Sequence, residues 1–487
     1  MIFCKTIRWV ATILFLTVAS SSAAYESVAF DPEVHAARRA TLMEAVGDGV
    51  LIVPGRYLIG SDGVTRQDPN FWYLTGVESP YSILALVRTD DDVREMLFLP
   101  ERYQFASSNY PQQDARFRNA VWNQPMDRLA PGPEAIRTTG IAEIYALDEF
   151  RQRIVELVGN NKRIFYVDDD SDYYAPSGLA APLSINQQLR QSVATLFPSA
   201  SIENPLAQIM RMRRVKDEHE LVRMREASRI SAMSLIEAAK IIQPGINALE
   251  VAARMEYVWA SEGSQGVNHA RMVAAGDTSL VLYSLQYENY NNGNRIMRSG
   301  ELVYIDYGIA ESDMYSSDVC RTFPISGKFT PEQRKYYDIV VEVEEAALAT
   351  IRPGVTMLEV VRASAAVFKK YGLEKYEDID AMGVDKVWGI FPSPTHFLSE
   401  TGTAGPDTEL RVRALGHSIG LNIVAPLPSS TVLQPGMVFT VEPKLYIPKL
   451  GTGMMVEDVV VVTENGYENL SAGVPKAAAD IEALMAN

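Results

Sequence analysis

The sequence is poor in histidine and almost without cysteine. Its 487 residues include five histidines and two cysteines. Because Cys4 lies in an N-terminal segment that we expect to be removed, Cys320 alone is left and no internal disulfide is expected. Cys320 stands in the apolar run DVCRTFPI, which favours a small buried side chain over a reactive thiol.

Positive charge is also in short supply. The chain carries 45 lysines and arginines against 61 aspartates and glutamates, a formal net charge of −16. Such an acidic excess repels a phosphate backbone, so we expect no nucleic-acid partner. Beyond the N-terminus no apolar run is long enough to span a bilayer, which predicts no stable membrane insertion.

The first 24 residues have the pattern of an export signal. Lys5 and Arg8 precede an apolar stretch, and small residues ending at Ala24 offer a cleavage point. No cysteine stands at that point to carry a lipid anchor. We therefore expect residues 1–24 to be a signal peptide and the mature protein to be periplasmic or secreted.

The rest of the chain predicts an α/β protein of two domains. Residues 25–205 contain the strand candidates GVLIVPG, SILALVRT and EMLFLP, which indicate an N-terminal α/β domain. A long amphipathic helix then follows Asp217, which can cap it together with Glu220 three residues later. We place the second domain, of α+β type, at residues 206–487.

The second domain contains a weak internal duplication. The segment PGINALEVAARMEYVW, from Pro244, resembles PGVTMLEVVRASAAVF, from Pro353. Each copy is followed by a strand candidate in which an acidic residue stands six residues after a glycine, GELVYID or GMVFTVE. A second acidic strand candidate follows each, SSDVCRTF or MMVEDVVVV. Two halves related by a pseudo-twofold axis are the expected arrangement.

Four acidic residues and one histidine occupy the key places of this duplication. They are Asp306, Asp318, Glu442, Glu457 and, within GHSIG, His417. If the strand candidates that carry Asp306 and Asp318 form a hairpin, their two carboxylates face each other and repel unless a cation lies between them, and the same holds for Glu442 and Glu457. Four carboxylates and one imidazole suit two divalent ions about 3.5–4 Å apart. For any one of these residues a solvated strand end or a structural histidine would be the better interpretation, but five together favour a metal centre.

The quoted segments resemble the aminopeptidase P and prolidase family, and the likeness covers nearly the whole mature chain. RQDPNFWYLTGV and LFLPER resemble its N-terminal, creatinase-like domain, while IDYG, GHSIGL, LQPGMVFTVEPKLY and VEDVVVVTENGYENLS resemble its pita-bread catalytic domain. The resemblance implies that the five residues bind two divalent ions, manganese first, with zinc, cobalt or iron as alternatives. It also implies attack by a metal-bridging hydroxide, proton handling by Glu442, a place near the substrate for Tyr446, and a homo-oligomer, dimeric or tetrameric.

Several residues of that family are missing. Seven residues after the ligand histidine the family has another histidine, usually followed by aspartate, but this chain has Val424 and Ala425. Arg413 stands where the aminopeptidase P pattern has a histidine, Lys444 replaces a glycine, and Met455 replaces an arginine. Because such histidines stabilise the charge that develops on the carbonyl oxygen, their loss predicts weaker or altered hydrolysis.

Two residues are candidates to replace the lost histidines in binding substrate. Tyr283 occupies the place that best matches another family histidine, and His396 lies on a loop flanked by proline and glycine before GHSIG. A solvated surface position is the alternative for both.

Three functions stay open on these observations. The first is an exported metallo-aminopeptidase of the aminopeptidase P type, with reduced or altered preference for proline as the second residue. The second is a metal-binding pseudoenzyme that binds a peptide or a partner without cleaving it. The third is a metallohydrolase of another small amide. The five intact ligand positions favour the first, and the missing histidines motivate the other two.

Overall fold

The computed structural model describes twelve stretches of the chain: residues 31–56, 66–89, 92–100, 129–159, 163–169, 183–264, 271–281, 295–371, 386–388, 416–428, 430–447 and 450–486. The predicted signal peptide lies outside them. No helix in the described part of the chain is long and apolar enough to cross a bilayer.

The N-terminal half folds around one mixed sheet of six strands. These are β1 (Gly49–Pro54), β2 (Ile83–Thr89), β3 (Asp92–Leu99), β4 (Glu143–Ala146), β5 (Arg163–Tyr166) and β6 (Ser201–Glu203). The strand order is β4-β3-β2-β1-β5-β6, with β1–β2 and β2–β3 antiparallel and the other three pairs parallel. Every residue of the central strand β1 is buried, as its unbroken apolar sequence predicts.

Six helices accompany this sheet in the part of the chain that the structure describes. They are α1 (Pro32–Val46), α2 (Pro69–Thr75), α3 (Pro133–Thr139), α4 (Phe150–Val158), α5 (Ile185–Leu196) and α6 (Leu206–Arg214). The three that begin with proline use it in the first helical turn, where a missing N–H costs nothing.

The second half is built on two pairs of helices. The helices are α7 (Glu218–Ile241), α8 (Ala248–Ser261), α9 (Pro331–Leu348) and α10 (Met357–Lys370), with α11 (Ala478–Met485) near the C-terminus. α7 packs against α8, and α9 packs against α10. Each of these four helices begins with a capping box, and the one at the start of α7 confirms the cap predicted at Asp217.

The strands of this half form small antiparallel sheets. They are β7 (Met272–Ala275), β8 (Leu302–Asp306), β9 (Glu311–Ser312), β10 (Tyr315–Ser316), β11 (Cys320–Pro324), β12 (Lys386–Trp388), β13 (Val438–Val441), β14 (Lys444–Ile447), β15 (Thr452–Met455), β16 (Asp458–Val462) and β17 (Tyr467–Asn469). The sheet orders are β11-β8-β7, β13-β16-β17, β12-β14-β15 and β10-β9.

The predicted duplication is visible in the backbone pairing. At the start of α8, Asn247 forms an isolated bridge with Ile296, and at the start of α10, Thr356 forms the same kind of bridge with Val432. Strand β8, which ends at Asp306, follows the first bridge, and strand β13, which is followed directly by Glu442, comes after the second. A further bridge between Cys320 and Glu457 joins the β8 sheet to the β13 sheet. The two copies therefore meet where the acidic residues lie.

Buried arginines tie the N-terminal half to the second half. Arg38 on α1 donates to Asp217 at 2.7 Å, and its guanidinium lies 3.2 Å from Glu220. Arg213 at the end of α6 donates to Asn70 at 2.6 Å and to Asn422. Because unpaired buried charges are costly, these pairs fix how the two halves pack.

Candidate metal centre

A β-bulge positions the first two acidic residues. Asp306 ends β8 and pairs with Cys320, the first residue of β11. Gly308 and Val319 exchange both backbone hydrogen bonds, at 3.1 Å each, so Tyr307 is one extra residue on its strand. The hairpin predicted from the sequence is present, but its register differs from the expectation that the two aspartates face each other. Cys320 lies opposite Asp306, and Asp318 lies two residues before β11.

Glycine is required where this bulge is tightest. A Cβ atom on Gly308 would lie 2.3 Å from the carbonyl oxygen of Val319, directly after Asp318. The close backbone approach thus depends on the absence of a side chain.

The second pair of acidic residues lies at the end of the β13–β16 pair. Val441 is opposite Asp458, so Glu442 and Glu457 are the next residues outward on the two strands. Glu457 also bonds to the other sheet, because its N–H donates to the Cys320 carbonyl at 3.0 Å. The backbone of Cys320 therefore lies between Asp306 on one side and Glu457 on the other.

His417 is held beside β13 by backbone contacts. Thr440 N–H donates to the His417 carbonyl at 3.0 Å, and His417 N–H donates to Thr440 Oγ1 at 3.1 Å. A Cβ atom on the preceding residue, Gly416, would lie 1.8 Å from the Thr440 carbonyl oxygen, so only glycine fits. His417 Nδ1 lies 3.2 Å from the Ser418 carbonyl, which can only accept, and Nδ1 is therefore the protonated nitrogen.

The other nitrogen of this ring faces two carboxylates. His417 Nε2 lies 3.5 Å from Asp318 Oδ2 and 3.5 Å from Glu442 Oε1. Ligand atoms of Asp318, His417 and Glu457 all lie within 4.8 Å of one another. Acceptor atoms that converge in this way repel one another unless a cation or a proton lies among them.

One oxygen of this group has no hydrogen-bond partner. Glu457 Oε2 is fully buried and accepts no hydrogen bond from the residues that the structure describes. A buried carboxylate oxygen left in this state is costly, and a bound ion is one of the few ways to satisfy it. The oxygen-rich donor set with one imidazole fits a divalent cation.

Burial and mutual repulsion shift the ionisation of these groups. Burial and then the charge of Asp318 raise the pKa of Asp306 to about 7. Burial and then Asp318 also raise the pKa of Glu457 well above its usual range. Burial lowers the pKa of His417, but Asp318 and Glu442 outweigh it and the net shift is upward. The protein without metal thus holds protons in this cluster that a divalent ion would displace.

A lysine also enters the cluster. Lys444 Nζ lies 2.5 Å from Glu442 Oε2, and each of the two side chains is 8% exposed. The sequence marked Lys444 as a departure from the family but gave it no role. A lone cation directly after Glu442-Pro443 in the otherwise apolar KLYI strand is the signal that could have identified it.

A buried ion-pair network supports the strands behind the cluster. Arg321 donates to Asp458 at 2.5 Å and to the Glu457 carbonyl at 2.6 Å. Burial opposes ionisation of Asp458, but Arg321 and its other partners hold the pKa of that carboxyl well below its usual range. These bonds fix the backbone of Glu457, and sequence reasoning did not identify them.

The N-terminal half holds the loop that follows His417. Arg66 donates to Glu311 at 2.9 Å, to the Met314 carbonyl at 2.6 Å and to the Leu421 carbonyl. Arg213 reaches Asn422 in the same loop. The first domain therefore helps to hold the loop that carries the candidate ligand.

The remaining predicted site residues are less fully described. The backbone of Tyr446 lies in β14, paired with Gly453. Tyr283 and His396 lie outside the described residues, so their predicted part in substrate binding stays a prediction.

The chain is similar to known proteins along most of its length. Residues 222–464 match metallopeptidase family M24, and residues 35–166 match the N-terminal domain of aminopeptidase P. The Xaa-Pro aminopeptidase of Escherichia coli K12 is 28% identical over 436 residues, covering 86% of this chain and 89% of that protein. Xaa-Pro aminopeptidase 3 of Mus musculus is 28% identical over 443 residues, covering 86% of this chain and 76% of that protein.

Solved structures give the same result. Pseudomonas aeruginosa aminopeptidase PepP is 25% identical and superposes with a TM-score of 0.71, covering 94% of this chain and 98% of that chain. A variant of Escherichia coli aminopeptidase P in complex with substrate is also 25% identical, with a TM-score of 0.69 and the same coverage.

Proposed function

This chain belongs to the aminopeptidase P family, with a catalytic domain of metallopeptidase family M24, and from that premise we propose that it hydrolyses the N-terminal peptide bond of peptides. The family membership confirms the predicted fold class, a creatinase-like α/β domain followed by a pita-bread α+β domain. It also indicates a metal-dependent hydrolase.

One observation carries the proposal. Asp318, His417 and Glu457 come from three separate segments, yet their ligand atoms converge within 4.8 Å. The orphaned Glu457 Oε2 lies in this group. Convergence of two carboxylates and a lone-pair nitrogen in a buried place has a simple physical explanation if a divalent cation binds there.

We propose that Asp318, His417 and Glu457 hold the ion, with Glu442 Oε1 beside them and Asp306 on the neighbouring strand. Carboxylate-rich sites accept manganese, zinc, cobalt or iron, and we expect manganese first. A divalent ion, when bound, supplies a Lewis acid that polarises the scissile carbonyl and makes a water molecule nucleophilic at neutral pH. The sequence offers enough ligands for two such ions.

Glu442 is the proposed proton-handling residue. Its two oxygens have different neighbours, with Oε1 at 3.5 Å from His417 and Oε2 at 2.5 Å from Lys444. A carboxylate beside the reacting water can take its proton and pass it to the leaving amine. The Lys444 ammonium thus contacts the carboxylate oxygen that lies away from His417.

The wider setting is also proposed. The N-terminal signal pattern supports a periplasmic or secreted protein, and the family resemblance supports a dimer or tetramer. Peptides are the proposed substrates, because the Escherichia coli relative is an Xaa-Pro aminopeptidase. The histidines missing at Val424 and Arg413 support a reduced or altered preference for proline as the second residue.

A second candidate is a metal-binding protein that binds peptides without cleaving them. It is favoured by the contact of Lys444 with Glu442, because the ammonium occupies one of the two oxygens that could otherwise contact the reacting water. The missing histidines also favour this candidate, because their loss removes hydrogen-bond donors to the developing oxyanion.

One assay distinguishes the two candidate functions. Purified protein is loaded with Mn²⁺, Co²⁺ or Zn²⁺ and incubated with Xaa-Pro and Xaa-Xaa peptides, and released N-terminal residues are measured by mass spectrometry. The Glu442→Ala variant, with its folding checked by circular dichroism, is the control. Metal-dependent release that the variant loses supports the aminopeptidase. Bound metal with no release from any peptide supports the non-cleaving protein.

A further inference from the structure

Lys444 is a buried lysine with a fixed partner. Its residue is 6% exposed, and its Nζ lies 2.5 Å from Glu442 Oε2. Moving an ammonium group out of water is strongly unfavourable unless anions replace the water. The position of this charge is therefore set by the acidic cluster and not by solvent.

The backbone directs the lysine side chain toward the acidic residues. Lys444 follows Glu442 by two residues, and its direct cross-strand partner, Met455, precedes Glu457 by two residues. Glu442 and Glu457 lie just outside these two strands, so the lysine leaves the chain close to both glutamates, and its Nζ reaches Glu442 Oε2.

The charge of Lys444 also affects the pKa of Asp306 and of Glu457. Burial and Asp318 raise the pKa of Asp306, and Lys444 opposes that rise more strongly than any other cation near this residue. Burial and then Asp318 raise the pKa of Glu457, and Lys444 opposes that rise as well. The ammonium thus contacts Glu442 directly, and its charge also acts on Asp306 and Glu457.

Among the described residues, one group of three ligand atoms converges closely enough to hold an ion. Asp318, His417 and Glu457 form the group that converges within 4.8 Å, and Asp306 is not part of it. A second ion would need Asp306 together with carboxylates that it shares with the first ion. That region already has the positive charge of Lys444, and a dication placed there would be repelled by both the ammonium and the first ion.

We propose that the Lys444 ammonium is a permanent cation of this centre and takes the place of one of two divalent ions. The chain then binds a single divalent ion, at Asp318, His417 and Glu457. This inference rests on the proposed function only in requiring that the site binds metal. It departs from the two ions that the family resemblance implies.

The number of bound ions tests the inference without any activity measurement. Full-length mature protein is dialysed to equilibrium against Mn²⁺, and bound manganese per chain is determined by mass spectrometry of the metal. We expect one ion in the unaltered protein. Lys444→Met, which removes the charge, and Lys444→Gly, which also removes the side chain, are each expected to bind two.

Two variants serve as controls. Lys444→Arg keeps the positive charge and is expected to bind one ion. Lys370→Met removes a lysine whose pair with Glu342, at 2.6 Å, is exposed and far from the cluster in sequence, and it is also expected to bind one ion. Thermal unfolding of every variant shows whether it is folded.

The outcomes are distinct. Two ions in the unaltered protein would overturn the inference and leave the proposed function standing. One ion in a folded Lys444→Met variant and in a folded Lys444→Gly variant would overturn it as well. No bound manganese in any of the proteins would overturn both the inference and the proposed function.

Discussion

Lys444 and Met455 lie directly opposite each other in the antiparallel pair of β14 and β15. The family resemblance leads one to expect a glycine at the first position and an arginine at the second. The two departures are therefore cross-strand neighbours, and relative to the family pattern this chain has a positive charge on β14 and none at the opposite position on β15. Lys444 follows Glu442 by two residues, and its Nζ contacts the Glu442 carboxylate directly.

The first prediction concerns His417, which supplies the nitrogen of the proposed site. We expect His417→Ala to lower Mn²⁺ affinity by more than about 100-fold, because loss of even an outer partner of a metal ligand costs about 10–100-fold. Isothermal titration with Mn²⁺ measures the change. His219→Ala removes an exposed histidine on α7 and should bind Mn²⁺ as the unaltered protein does. Equal affinity in the two variants would exclude His417 as a ligand.

The second prediction concerns Gly416, which lets the His417 segment approach β13. A Cβ atom there would lie 1.8 Å from the Thr440 carbonyl oxygen, so the backbone of one segment must move in Gly416→Ala. We expect a loss of about 1–3 kcal/mol in the free energy of unfolding, together with weaker metal binding. Urea unfolding and Mn²⁺ titration measure the two effects.

The matched control for that variant is Gly466→Ala. Its nearest neighbour would be the Ile351 carbonyl oxygen at 4.0 Å, so the added methyl group has room. We expect a change within about 0.5 kcal/mol in the free energy of unfolding and no change in metal affinity. If both alanine variants behave alike, the close approach at Gly416 does not position His417.

The third prediction concerns the buried pair of Arg321 and Asp458, which are 0% and 1% exposed. Arg321→Met leaves the Asp458 charge buried without its main partner, and we expect a loss of about 3–5 kcal/mol in the free energy of unfolding. Arg334→Met breaks an exposed pair with Asp338 on α9 and should cost at most about 1 kcal/mol. Similar urea midpoints for the two variants would contradict the role given to the buried pair.

The fourth prediction concerns pH and His35. Burial lowers the pKa of this ring from 6.5 to about 4, although its bond to the Tyr73 carbonyl opposes the shift. Between these two values the unfolded chain binds a proton at this residue and the folded chain does not, so acid favours the unfolded state. The contribution of His35 to the free energy of unfolding is fully present above pH 6.5. It falls by up to about 3 kcal/mol as the pH drops toward 4.

Comparison with His35→Gln isolates this contribution. Other groups titrate in the same range in both proteins, so the difference between their pH profiles belongs to His35. We expect the free energy of unfolding of the unaltered protein to fall more steeply between pH 6.5 and pH 5 than that of the variant. Parallel urea-unfolding profiles over this range would mean that the folded protein protonates His35 normally.

Much of the second domain follows from local sequence signals. The capping boxes at Asp217, Asn247, Thr330 and Thr356 are all formed, because a cap depends on residues within one turn. The duplication also predicts which strands carry the acidic residues. Local patterns and an internal repeat are therefore enough to indicate the candidate ligands and the elements that hold them.

The register of the first hairpin could not be obtained in this way. Tyr307 is an extra residue directly after β8, and it changes which residue lies opposite Asp306. A bulge depends on how the two strands and their neighbours pack, and alternation along a single strand carries no sign of it. The requirement for Gly308 and Gly416 likewise becomes visible only when the partner backbone is in place.

The sequence also could not predict polar contacts between residues that are far apart in the chain. Arg66 and Glu311 are far apart in the chain, as are Arg213 and Asn422, and no local pattern relates them. Lys444 could be noted as unusual, but its contact with Glu442 depends on the turn between β13 and β14. These contacts decide how the loop after His417 and the acidic cluster are held.

The most direct test of the account is the location of the metal itself. Crystals of the mature protein grown with Mn²⁺ would be measured at the manganese absorption edge, and an anomalous difference map would be calculated. We predict a peak within coordinating distance of Asp318, His417 and Glu457. The absence of any peak at these residues in protein shown to be folded and exposed to excess Mn²⁺ would contradict the metal centre.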